Sequence, residues 1–185
     1  KNETDTLLKA QETFAFIQRF YSWNGYNSIF SSKVKEVFNK KVGDSGDITL
    51  SLISALRYAG IQVQPIILST RENGLPIETY PSTDNFDYVI ARWRINGKDY
   101  FLDATEKFLP FGLLPLRCLN GKGRIFDSNF QSEWLEIPNK EKKRKISSIT
   151  LSLDNEGMLK GKQYVISSHA TGRSTDASRT NGAIS

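Results

Sequence analysis

GDSGDITLSLISALRYAG, residues 43–60, is the stretch on which the fold turns. Ile48, Leu52, Ala55, Leu56 and Ala59 recur at helical spacing and share one face, while Leu50 and Ile53 make the opposite side apolar as well. A helix apolar on most sides is a buried, central one. Asp44 is placed to cap it, Asp47 three residues on favours the positive end of its dipole, and Gly60 ends it.

Two further helices are predicted ahead of this one. Thr4 or Asp5 caps the first, in which Leu7, Ala10, Phe14, Ile17 and Tyr21 repeat at helical spacing to about Trp23, before Asn24-Gly25 breaks it. The second runs from Ser32 to Lys41, with Val34, Val37 and Phe38 on one face and Gly43 as its stop.

After Gly60 the period changes. IQVQPIIL (61–68) alternates as a strand, and 69–84, with Gly74, Pro76 and Pro81, reads as a long loop. DYVIARWRI (87–95) and DYFLDA (99–104) form a hairpin about Asn96-Gly97. FLPFGLLP (108–115) is irregular, and 124–127 and 133–137 are short strands. Helices followed by mostly antiparallel strands define an α+β arrangement, with helices packed against one face of a sheet.

The composition shifts after Pro138. Residues 1–138 read as the core, 139–145 as a basic linker, and 146–185 as an incomplete β-hairpin (146–153 and 158–166) followed by a flexible Ser/Thr-rich tail. The run KEKKRK (140–145) carries +4 of the net charge of +5, so the rest of the chain is nearly neutral. No aromatic or Gly-rich pattern is interleaved with that run, which argues for a solvated linker and against a nucleic-acid partner.

With 38% hydrophobic residues, 11 Phe, 7 Tyr and 3 Trp, the chain can bury a substantial core, which excludes wholesale disorder. No run of eighteen apolar residues is present, so no membrane span is expected. One Cys rules out an internal disulfide, and one His rules out nearly every two-histidine metal motif, so neither metal nor cofactor is implied. Lys1 opens the chain without an initiator Met or signal-type apolar stretch, the expectation for a processed or excised piece.

The chemistry concentrates at the start of the buried helix. A helix N-terminus supplies backbone N–H groups to an oxyanion and suits a nucleophile, here Ser45. A nucleophile needs a base and the base an orienting group, and hairpin 86–104 offers Asp87, Tyr88 and Asp103. By strand alternation Asp87 faces away from Tyr88, toward solvent. Trp23, Asn24 and Asp44 are candidates to line a cleft near Ser45. Phe111, Leu113 and Leu114 read as packing and Cys118 as a small buried hydrophobe, while His169 stands beyond the core.

Three separated motifs, GDSGDITLSLISALRYAGIQVQPIILSTR, FDYVIARWRINGKDYFLDAT and LPFGLLPLRCLNGKGR, resemble in order and spacing the transglutaminase-like core, a papain-like fold, of bacterial envelope proteins. The resemblance covers about residues 10–137, with 146–166 similar to the start of a following β-domain. It implies a periplasmic or envelope-associated location and a Cys-His-Asp triad. Carried over by position, the Cys falls on Ser45, the His on Tyr88 and the Asp on Asp103, so only the aspartate matches. Ser is far less acidic than Cys, and Tyr with a pKa near 10 stays protonated at neutral pH. Two expectations follow. One is a catalytically inactive domain, a scaffold or a module holding a peptide or glycan in its cleft. The other is an acyl-transfer hydrolase, protease-like or transglutaminase-like, that uses Ser45 as its nucleophile.

Overall fold

A computed structural model of the chain describes residues 3–31, 34–80, 82–126, 131–138, 144–153, 159–168 and 178–184. The chain divides into two compact units, 1–139 and 140–185.

The first unit is α+β. Helices α1 (Glu3–Phe20), α2 (Val34–Lys40) and α3 (Ser45–Tyr58) precede the main sheet, and a two-stranded parallel pair, β1 (Ser22–Trp23) and β2 (Val42–Gly43), stitches the entries to the helices. The main sheet comprises β3 (Val63–Leu68), β4 (Tyr88–Ile95), β5 (Lys98–Leu102), β6 (Lys122–Phe126) and β7 (Ser132–Glu136). Its spatial order is β5-β4-β3-β6-β7, antiparallel at every pairing.

Helix α3 forms as its sequence dictates. Asp44 accepts the Asp47 N–H at 2.8 Å, Asp47 accepts the Asp44 N–H at 3.2 Å, and the reciprocal pair closes a capping box. At the other end Gly60 takes φ +81°, which only glycine adopts without strain. Its N–H bonds the Arg57 carbonyl and the Ile61 N–H bonds that of Leu56, a Schellman closure. Between these ends Ile48, Leu52 and Leu56 are wholly buried against Ala10, Phe14, Ile17, Ala91 and Trp93.

The other face of the sheet has its own core. Ile66, Leu68, Tyr88, Ile90, Phe101, Cys118, Ile125 and Ile137 pack together there. β4 is consequently buried on both sides, from Tyr88 to Trp93. The Asn96-Gly97 turn has φ +49° and +77°, the left-handed pair that a two-residue hairpin needs.

Four sequence expectations for this unit are corrected. The helix expected to reach Trp23 stops at Phe20, because Ser22 and Trp23 pair in parallel with Val42 and Gly43; Thr4 and Asp5 lie inside its first turn. α2 ends at Lys40, with Lys41 at φ +55° as the left-handed residue in place of Gly43, which is a strand residue. Of the face assigned to α2, only Val37 is buried.

In the second unit β8 (Arg144–Leu153), β9 (Leu159–Ser168) and β10 (Ser178–Ile184) form an antiparallel sheet in the order β10-β9-β8. Arg144 and Lys145, expected in the linker, open β8. Ser178–Ile184, expected to be tail, is a strand: main-chain hydrogen bonds along the free edge of β9 carry it without an alternating apolar pattern. Pro81, Asp154 to Met158 and His169 lie outside the described residues.

Gly46 fixes the approach of the 24–31 segment to α3. A Cβ there would meet the Phe30 carbonyl oxygen at 2.1 Å, inside any tolerable contact. Gly46→Ala is expected to destabilise the chain by about 2–3 kcal/mol or more, since neither side of the contact is a flexible side chain. Asp44→Ala, which removes only a cap, is expected to cost about 1 kcal/mol. Urea unfolding of both variants measures the difference.

Candidate functional site

Tyr88 begins β4, and Asp103 follows directly after β5, the strand that pairs with it. The hairpin register brings their side chains together. Tyr88 OH donates to Asp103 Oδ2 at 2.7 Å, and both residues are wholly buried. Asp103 Oδ1 accepts the Thr105 N–H at 2.8 Å and the Thr105 hydroxyl at 2.6 Å. The Cys118 thiol lies 3.8 Å from Oδ2 and donates to it.

Arg117, on a 3-10 turn (Leu116–Cys118), closes the cluster. Its Nη2 donates to Thr105 Oγ1 at 2.7 Å and to Tyr88 OH at 3.1 Å, and Nη1 donates to Glu106 Oε1 at 2.8 Å. The guanidinium also lies 4.2 Å from the Trp23 ring centroid and 5.3 Å from that of Tyr88. It therefore spans from the hairpin to the strand that precedes the Ser45 region. This stacking on Trp23 is a cation–π contact as well as a packing one.

The electrostatics set the protonation states. Burial, with the negative charge of Asp103 beside it, pushes the Tyr88 hydroxyl well above its ordinary value of 10.0, so it acts as a donor and not as a base. Burial and the same carboxylate push the Cys118 thiol well above its ordinary 9.0, which removes thiolate character. At the α3 N-terminus burial also pushes the Asp44 carboxyl up, opposed in part by the N–H of Asp47.

Ser45 is wholly buried and is engaged elsewhere. Its Oγ accepts the Ser28 N–H at 2.8 Å and donates to the Ser28 carbonyl at 3.1 Å, and neither bond is to Tyr88 or Asp103. The Ser45 N–H donates to the Tyr26 carbonyl at 3.1 Å, and the Trp23 indole N–H donates to the same oxygen at 2.8 Å. Two N–H donors converging on one oxygen beside Ser45 have the form of an oxyanion hole. Here the oxygen held between them is the chain's own.

The remaining candidates have local roles. Asn24 is exposed and its Oδ1 accepts the Tyr26 N–H, an Asx turn that shapes the same loop. Asp44 is occupied in the capping box. Asp87, which strand alternation turned toward solvent, is half-buried, and its carboxylate is engaged by the protein. It lies just before β4, where the alternation does not apply, and its carboxylate accepts the Thr70 N–H at 2.7 Å, the Thr70 hydroxyl at 2.6 Å and Asn27 Nδ2 at 3.1 Å. Phe111 packs on Phe14, Trp93 and Tyr100, Leu113 is buried and Leu114 packs on the second core. Among the described residues no group of three or more His, Cys, Asp or Glu side chains is gathered as metal ligands would be, and no helix is long and apolar enough to cross a membrane.

Thr105 and Arg117 escaped the sequence reading. Thr105 had a local signal, an Asp-x-Thr pair that favours a side-chain-to-backbone bond two residues on. Arg117 had none, since only the tertiary path of the 108–121 segment brings it over Trp23. A scan against protein-family models finds no match, and searches of curated proteins and of solved structures find none either.

The folded chain holds the Tyr88 proton more tightly than the unfolded chain does. That contribution to stability is complete below the ordinary tyrosine value of 10.0 and is lost as pH rises through the higher folded value. In an alkaline absorbance titration one tyrosine is expected to ionise only with unfolding, and Tyr88→Phe is expected to remove that one. The same variant takes a donor from a buried carboxylate and is expected to cost about 1–3 kcal/mol at neutral pH. Cys118 is expected to stay unmodified by a thiol reagent until denaturant is added.

Proposed function

We propose that the 1–139 unit is a transglutaminase-like domain without catalytic activity, acting as a scaffold or as a module that binds a peptide or glycan within a larger envelope protein. The observation that carries this reading is the occupation of the Ser45 region by residues 26–28. The Ser45 hydroxyl is bonded in both directions to Ser28, and the Ser45 and Trp23 N–H groups converge on Tyr26. An acyl-transfer site needs a free nucleophile, a base beside it and open donors for the oxyanion. In this chain the first and third are filled from within, and the residue in the base position is a tyrosine that keeps its proton.

The order of the three motifs and the Tyr88–Asp103 pair support the family part of this reading. A triad's base and orienting residue are held by the same kind of hydrogen bond. Tyr88 retains the geometry of such a pair with the chemistry removed.

The test is covalent labelling with a fluorophosphonate, which reacts with activated serines. No adduct on Ser45 is expected over a pH range from 6 to about 9, where an activating base with an ordinary histidine or thiol-range pKa would operate. An adduct at Ser45, abolished by Ser45→Ala, would mean that the chain is an acyl-transfer enzyme.

A further inference from the structure

We infer that the outer face of α1 and α2 is a docking surface for a membrane interface rich in anionic phospholipid. Phe16 and Phe20 stack on α1 with ring centroids 5.6 Å apart, and Phe20 meets Phe38 of α2 at 5.3 Å. Phe16 is 56% exposed, Phe38 57% and Val34, one turn before Phe38, 65%. These side chains form a continuous aromatic and aliphatic patch across two helices. Isolated exposed apolar residues need no explanation, but a contiguous cluster marks an interaction surface.

The charges around it determine the partner. Lys41 Nζ lies 5.2 Å from the Phe20 ring centroid, Lys35 follows Val34 on α2, and Arg19 precedes Phe20 on α1; all three are exposed. No ion pair holds any of them among the described residues. On α2 the one carboxylate, Glu36, is paired with Lys40, and on α1 Glu12 stands four residues before Phe16. The patch is thus apolar at its centre and net positive at its border. That pattern rejects a second copy of the same patch, which would set cation against cation. It is complementary to anionic headgroups above an acyl layer, where rings insert and lysine stems extend along them.

Shape favours a lipid surface over an acidic peptide. Phe16, Phe20 and Phe38 present their rings in one run across the two helices, with two of the three more than half exposed. A fluid surface needs only a face on which to lie. Each cation near an anionic bilayer contributes roughly fivefold to partitioning, so binding is reversible and salt-sensitive.

The experiment is co-sedimentation of the full 185-residue chain with two kinds of vesicle, one of phosphatidylglycerol and phosphatidylcholine in equal parts and one of phosphatidylcholine alone. Sedimentation with the first and not the second is expected. Phe16→Ser with Phe38→Ser is expected to weaken it by about tenfold or more, with thermal unfolding as the check on folding. Arg19→Glu with Lys35→Glu, which leaves every ring in place, is expected to weaken it comparably. The basic run at 140–145 is separated by replacing Lys142, Lys143 and Lys145 with Ser, after which the dependence on Phe16 and Phe38 is expected to persist. Failure to sediment with anionic vesicles would overturn the inference. So would wild-type binding by the phenylalanine variant, loss of all binding on replacing those three lysines, or a concentration-dependent dimer in light scattering that Phe38→Ser abolishes.

Discussion

At Gly46 the first turn of α3 has no space for a side chain, and the arrangement around Ser45 depends on that contact. The absence of a Cβ lets the Phe30 carbonyl lie directly on the helix backbone. With the 24–31 segment held that close, Ser45 finds both hydrogen-bond partners on Ser28, and Asp47, already in the capping box, also accepts the Ser31 hydroxyl at 2.8 Å. A helix N-terminus leaves N–H groups in want of acceptors. Here one acceptor comes from the chain's own loop, so the positive end of the dipole, which in another setting receives an anion, stabilises a turn.

The second constraint is the buried carboxylate of Asp103. Taking such a group out of water costs several kcal/mol unless its lone pairs are met. Four donors meet them: the Thr105 N–H and hydroxyl, the Tyr88 hydroxyl and the Cys118 thiol. Tyrosine serves this better than histidine. It remains a neutral donor across the physiological range, whereas an imidazole in contact with a carboxylate gains and loses a proton near neutrality. The arrangement holds one protonation state and suits structural support.

Much of this was legible in the sequence. The apolar wrap of 48–59 specified a buried helix, Asp44 and Gly60 marked its ends, and Asn96-Gly97 set the hairpin whose register joins Tyr88 to Asp103. These are local patterns with short-range causes. What the sequence hid arises from distance. Asp87 looked solvated because alternation was extended one residue beyond the strand, into a position where Thr70 and Asn27 arrive from other segments. Arg117 lies within the third motif but carries no local signal of its role, which comes from a path of irregular chain. β10 was invisible because a ladder edge can recruit a polar segment through its backbone alone.

Tyr88 and Ser45 have no direct bond, yet a series of contacts joins them. Asp103 holds Tyr88, Tyr88 accepts from Arg117, Arg117 lies on Trp23, and Trp23 shares the Tyr26 carbonyl with the Ser45 N–H. Each link in that series satisfies a polar group or covers an aromatic face, so each contributes to folding. A working triad at these positions would need the ground between Trp23 and Tyr88 open for substrate. Arg117 occupies it with a guanidinium bonded on three sides. The proposed inactivity therefore rests on more than the identity of two side chains, because stabilising contacts fill the same ground. Placing Cys and His at positions 45 and 88 would leave the Tyr26 carbonyl between the two donors and Arg117 over Trp23. An acyl-transfer site built there would require moving a loop and a charged side chain as well, against interactions that hold the domain together.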